Sequence, residues 1–284
     1  MRFIRQQFLY ILKNLLNVKM LISMFMIVIW SFLYVQDYLT LAEITGNDIN
    51  IIEPAVYLLS NSSISAFLFV LCFIFAFCDI PFEDGVLPYY VYRIGHKRWY
   101  VNLLIFTVIF CLLFLILPIL TSCLLCSTKG YFSFEIWSQV AILTANGGAP
   151  QMPFLPIFSP MLMYYSPGEA LFNAFILTFL HYFIIAGLLL VFNSYVKKTW
   201  GVGFVTGVEI AGFMLVTNFS KIARFFPFIN ASLSELSFRE FSKEISSAPY
   251  VWEVCIWFCI LIILIGILGY VSLKRYKFEL GEEK

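Results

Sequence analysis

Glu209 is the sole charged residue of an apolar stretch, Gly201 to Val216. A carboxylate near the centre of a bilayer costs roughly 2.5 to 3.5 kcal/mol on insertion scales, so such a group is held by a partner or faces a cavity. His181 and Asn173 lie in a second apolar stretch, about 170 to 192, and pose the same choice. These three are the candidates for lining a translocation pathway or attracting a cationic cargo. The alternative for each is hydrogen-bonded packing between helices.

Other chemistry finds little footing. The only histidines are His96 and His181, one in a polar loop and one in an apolar run. There is no H-E-x-x-H pair, no pair of glutamates on one apolar run and no G-x-S-x-G elbow, so intramembrane hydrolysis has no motif. Cys123 and Cys126 form C-x-x-C without a second ligand pair and read as apolar packing, and Cys255 and Cys259 share one helical face. The phosphate-cradling pattern G-x-x-x-x-G-K-[ST] does not occur. The chain is therefore expected to be no enzyme and to hold no cofactor or metal of its own.

The elements that position these residues follow from charge-free length. The 284 residues are 61% hydrophobic and 12% charged, against about 25% charged in a soluble domain. The net charge of +1 gives no global field that would favour nucleic acid. A helix needs about 20 apolar residues to cross about 30 Å of hydrocarbon. Six runs meet or approach that length, at about 20–36, 60–78, 100–120, 170–192, 201–217 and 254–273. The reading is an all-α integral membrane protein, one transmembrane domain over 1–284, of about six spans.

Lys and Arg counts orient it. With the N-terminus inside, 13 of the 18 cations fall on cytoplasmic segments, and the first outer loop carries only acids: Asp37, Glu43, Asp48 and Glu53. Both termini are expected in the cytoplasm, in the plasma membrane. Residues 1–19 place Ile4, Phe8, Ile11, Leu12 and Leu15 on one helical stripe with Arg2, Arg5 and Lys13 off it, an amphipathic helix lying on the lipid surface. Outer segments are expected at 121–169, with five prolines between Pro150 and Pro167, and at 218–250.

The loop at 79–99 is broken by Pro81, Gly85 and Pro88 and ends in a basic-aromatic patch, Tyr92-Arg93-Ile94-Gly95-His96-Lys97-Arg98-Trp99-Tyr100. These cations either enforce topology or offer a grip to a soluble subunit. Six spans, an amphipathic first helix and this loop together resemble the permease subunits of ABC exporters of the drug, polysaccharide and peptide export class. That resemblance implies a coupling helix seated in a cleft of a separate ATPase subunit, which holds the ATP and Mg, and a second permease chain as partner. Glu83, Asp84, Arg93, Ile94, Gly95, His96, Lys97, Arg98 and Trp99 would then be the ATPase-contacting residues. The cargo expected is an amphipathic peptide, drug or lipid-like molecule.

The chain departs from the family in an apparent insertion, Lys129 to Glu169, whose apolar stretches either dip into the outer leaflet or form a lid. The rival readings are a non-transporting receptor or immunity protein, and an intramembrane enzyme.

Overall fold

The computed structural model describes residues 12–82, 87–146, 159–195, 198–217, 227–236 and 250–275. Of the expected surface helix, residues 1–11 lie outside these. Residues 12–15 form a helical turn, and Asn17 then caps helix α1, Val18–Thr45, by accepting from the Lys19 amide at 3.2 Å. Gly46, at φ +67°, closes α1 with the left-handed residue that a helix end favours. The helix runs nine residues beyond the charge-free run, because Tyr38, Leu41 and Ala42 continue its buried face.

Strand β1 (Ile49–Asn50) leads into α2, Glu53–Ser60, then a π-helical turn, Ile64–Leu68, and α3, Phe69–Phe77. The sequence suggests one straight span at 60–78. The structure adds α2 ahead of that run and turns by 59° between α2 and the helix that follows, Ile64–Phe77. The cause is local: in Ser60-Asn61-Ser62-Ser63, Asn61 Oδ1 takes the amides of Ser63 (2.8 Å) and Ile64 (3.3 Å). Side-chain competition of this kind interrupts a helix.

Helix α4 (Leu87–Ile94) meets α5 (His96–Cys126) across Gly95, at φ +81°. Beyond α5 come β2 (Gly130–Tyr131), α6 (Gln139–Ala145) and α7 (Ser159–Tyr164). The chain then forms α8 (Pro167–Tyr195), α9 (Lys198–Thr217), α10 (Pro227–Asn230), a turn at 233–236 and α11 (Val251–Arg275).

Helices α1, α5, α8 and α11 are each long and apolar enough to cross a membrane, and α2 with α3 makes a fifth if the bent pair is one span. The apolar part of α9, Trp200–Met214, is shorter. Large apolar side chains such as Phe25, Ile263, Leu264 and Ile267 point outward, as a lipid-facing surface requires. The protein is thus a helical, multi-pass membrane protein.

An aromatic column forms its centre. Phe73 and Phe77 of α3, Phe106, Phe110 and Phe114 of α5 and Tyr182 of α8 are all buried. Helices α8 and α11 meet at Gly187, where an added Cβ would lie 2.6 Å from Ile265 Cγ2. Close approach through small residues is how membrane helices gain packing. Gly187→Val should force the two helices apart and cost about 1–3 kcal/mol; a thermal melt in detergent unchanged from wild type would contradict this.

The described residues after α5 are tied closely to α1 and α2. Strand β2 pairs in parallel with β1, Ile49 opposite Gly130. The Asn50 amide donates to the carbonyls of Ser133 (2.6 Å) and Ile136 (3.1 Å), and Lys129 pairs with Glu43. Glu53, which the sequence groups with exposed acids, is fully buried. It accepts from the Tyr38 hydroxyl (2.5 Å) and from the Ser138 hydroxyl (2.6 Å) and amide (2.5 Å). Trp137 Nε1 donates to the Tyr165 carbonyl at 2.8 Å, and the Gly168 amide to Phe134 at 2.9 Å. These bonds make residues 130–146 and 159–168 a cap over α1 and α2. Residues 147–158 lie outside the described part.

Candidate functional site

A broken helix in a membrane exposes backbone groups that lipid cannot satisfy, so other polar groups must gather around it. They do so here. Thr178 on α8 donates to the Leu59 carbonyl (3.3 Å) as well as to Ala174, and Tyr182 donates to Ser65 (3.0 Å). From the other side Ser232 donates to the Ser60 carbonyl (2.7 Å) and lies 2.9 Å from Ser234, while Ser62 donates to Glu235 at 3.0 Å. Helix α8 and the 231–236 segment thus stitch the break.

His181 follows on the same face of α8 as Thr178 and Tyr182. It lies 14 residues from either end of that 29-residue helix, about 21 Å from each, at the helix midpoint. Its Nε2 is 3.2 Å from Oε1 of Glu209 on α9. The pair is shut away from solvent, with His181 0% and Glu209 3% exposed. Phe67 stacks on Phe213 at 4.6 Å, joining the π turn to α9 on this side. Among the described residues, His181 Nδ1 and Glu209 Oε2 have no hydrogen-bond partner. Asn173 lies about 12 Å farther toward the start of α8 and is half-buried.

Sequence reasoning named His181 and Glu209 separately, and the structure joins them. It did not find the break at Ser60 to Ser63, although four consecutive small polar residues between apolar runs are a breaker signal. Among the described residues no three His, Cys, Asp or Glu side chains converge as a metal site would need.

The second region is the elbow at Gly95. Leu87, Val91 and Ile94 form the buried face of α4, and Trp99 is wholly buried at the start of α5. The Asn102 amide donates to the Tyr90 hydroxyl at 2.9 Å and ties the two helices together. Arg93, Lys97 and Arg98 are exposed, and His96 is half-buried with its ring edge-on to Trp99. Tyr89, which sequence reasoning did not single out, and Tyr92, the first residue of the basic-aromatic patch, are the most open aromatics among the described residues, at 74% and 94%. Ile94 and Trp99 are anchors turned inward, while the cations and tyrosines form the outward face. Glu83 and Asp84 lie outside the described residues.

The same end of the molecule is pinned by Lys19 and Asp79, 2.5 Å apart, and by Asn193 donating to the carbonyls of Cys78 (3.1 Å) and Ile80 (2.7 Å).

Fold and site together define a helical multi-pass membrane protein with a broken helix and a buried acid–imidazole pair at its centre. The chain matches no protein-family model, and no curated protein or solved structure is significantly similar to it.

Proposed function

We infer that the chain is the membrane-spanning subunit of an ATP-driven exporter, with ATP hydrolysed on a separate partner subunit. The observation that carries this reading is the elbow at Gly95. A short amphipathic helix is fixed to the longest described helix by buried anchors and by the Tyr90–Asn102 bond, and the elbow turns Tyr89, Tyr92, Arg93, Lys97 and Arg98 outward. Aromatic residues and arginine are the side chains that most often anchor a protein interface. A soluble subunit gripping this surface moves α5 directly.

In this reading α9 is the sixth span, both termini are cytoplasmic, the membrane is the cell membrane, and a second permease chain completes the pathway. The bias of Lys and Arg toward the elbow side supports that orientation. Cargo is amphipathic, in keeping with a buried polar pair inside an otherwise apolar helix bundle.

The test is purification from native membranes of the wild type and of a triple variant, Arg93→Glu, Lys97→Glu and Arg98→Glu. The wild type is expected to bring down an ATPase chain and stimulate its hydrolysis. Charge reversal at the contact should weaken that association about tenfold or more. A variant that assembles and stimulates as the wild type does would remove the reading.

A further inference from the structure

The central pair has more hydrogen-bonding capacity than its neighbours use. When the His181 Nε2–H donates to Glu209 Oε1, both remaining atoms, His181 Nδ1 and Glu209 Oε2, are bare acceptors and the pair carries one negative charge. With one more proton the pair is neutral overall, as imidazolium and carboxylate or as imidazole and acid, and Nδ1 becomes a donor. Each state leaves buried polar atoms open, and leaving such atoms unmet in a dry interior is costly. The negative state asks for a cation bearing N–H donors. The neutral state has no such demand.

We propose that the His181–Glu209 pair is a mid-membrane site for a primary ammonium group, bound in exchange for a proton. The exchange balances: one ammonium enters, one proton leaves the pair, and the site's total charge is unchanged. The break beside it supplies the polar surroundings, with Thr178, Ser60, Asn61 and Ser65 buried around the interrupted backbone. Discontinuous helices are where membrane proteins place ion and substrate sites. The titratable groups nearby among the described residues are Tyr182 on α8, which lies within interaction range of Glu209 and of Cys72 on α3 and Cys111 on α5, and Glu235, reached through Ser62. Among the described residues the ion-pair partner of Glu209 is His181, with no lysine or arginine at that distance.

This deepens the transport reading by naming a cargo class, but its test needs no ATPase. The full-length chain in lipid nanodiscs is titrated with dodecylammonium, and with dodecanol as the uncharged probe of equal chain length, in a weakly buffered solution. Dodecylammonium should bind and release about one proton per molecule, and its affinity should rise about tenfold per pH unit wherever the pair holds its extra proton. Glu209→Gln should lose both the binding and the proton release while melting as a folded protein. The wild-type pH slope decides the matter should that variant fail to fold. Equal binding of dodecanol, or binding without proton release at any pH, would overturn the proposal. ATPase co-purification without this exchange would leave the transport reading standing and remove this one alone.

Discussion

Glu53→Ala is expected to loosen the cap and lower the unfolding free energy by about 3 kcal/mol, because a buried donor left without its acceptor costs about 1–3 kcal/mol. Three donors lose their acceptor at once: the Tyr38 hydroxyl and the hydroxyl and amide of Ser138. Water entering beside the loosened cap offsets part of that loss. Glu53→Gln keeps one acceptor oxygen but sets an NH2 group against donors, so about half of the effect should remain. Limited proteolysis reads the cap directly, and Trp137, bonded to Tyr165 within it, provides a fluorescence signal. A cap as protease-resistant in the alanine variant as in the wild type would show that Glu53 does not hold it.

Phe73→Ala should be as damaging, by a different route. Its ring packs against Phe77 at 4.6 Å, Tyr182 at 4.9 Å, Phe114 at 5.4 Å and Phe110 at 5.8 Å, and so joins α3, α5 and α8. In a membrane the alternative to burial is lipid, which is as apolar as the core, so the transfer part of the usual 3–5 kcal/mol falls away. What remains is lost dispersion around an empty volume, about 3 kcal/mol. Phe73→Leu should cost about 1 kcal/mol. Unfolding in mixed micelles of rising dodecyl sulfate content ranks the two, and equal midpoints would contradict the packing argument.

Much of this architecture is legible from charge-free length. The apolar runs near 20–36, 100–120, 170–192 and 254–273 each lie within a long helix, and all four helices extend beyond their runs. Helix ends are less legible because a charged residue near the surface does not stop a helix whose other face is still packed. Asp37 inside α1 is the example. Glu53 illustrates a different limit. Its spacing along an acidic loop is that of a solvated residue, and the approach of Tyr38 and of Ser138, 85 residues later, turns it into a buried acceptor. His181 and Glu209 stand out individually because ionisable groups are rare in apolar runs. Their pairing depends on the rotation of α8 against α9, which neither helix's own sequence sets. Tyr89 went unmarked for the opposite reason: in a chain with 16 tyrosines, one more exposed ring carries no signal until the buried face of α4 is known.

The two-residue ladder between β1 and β2 has a consequence for how the chain threads the bilayer. Strand β1 follows the end of α1, and β2 follows the end of α5. Since the strands are hydrogen-bonded to each other, α1 and α5 must emerge through the same face. The chain between them has therefore returned to the opposite face. Among the described residues of that interval, only α2 and α3 are apolar and long enough together to make the journey. Were the bent pair a hairpin dipping in and out again, α5 would start at the ladder's face and finish on the far one. Its strand would then be parted from β1 by about 30 Å of hydrocarbon. The ladder thus acts as a parity check: if α1 and α5 each cross the bilayer once, the kinked α2–α3 pair must cross it once between them.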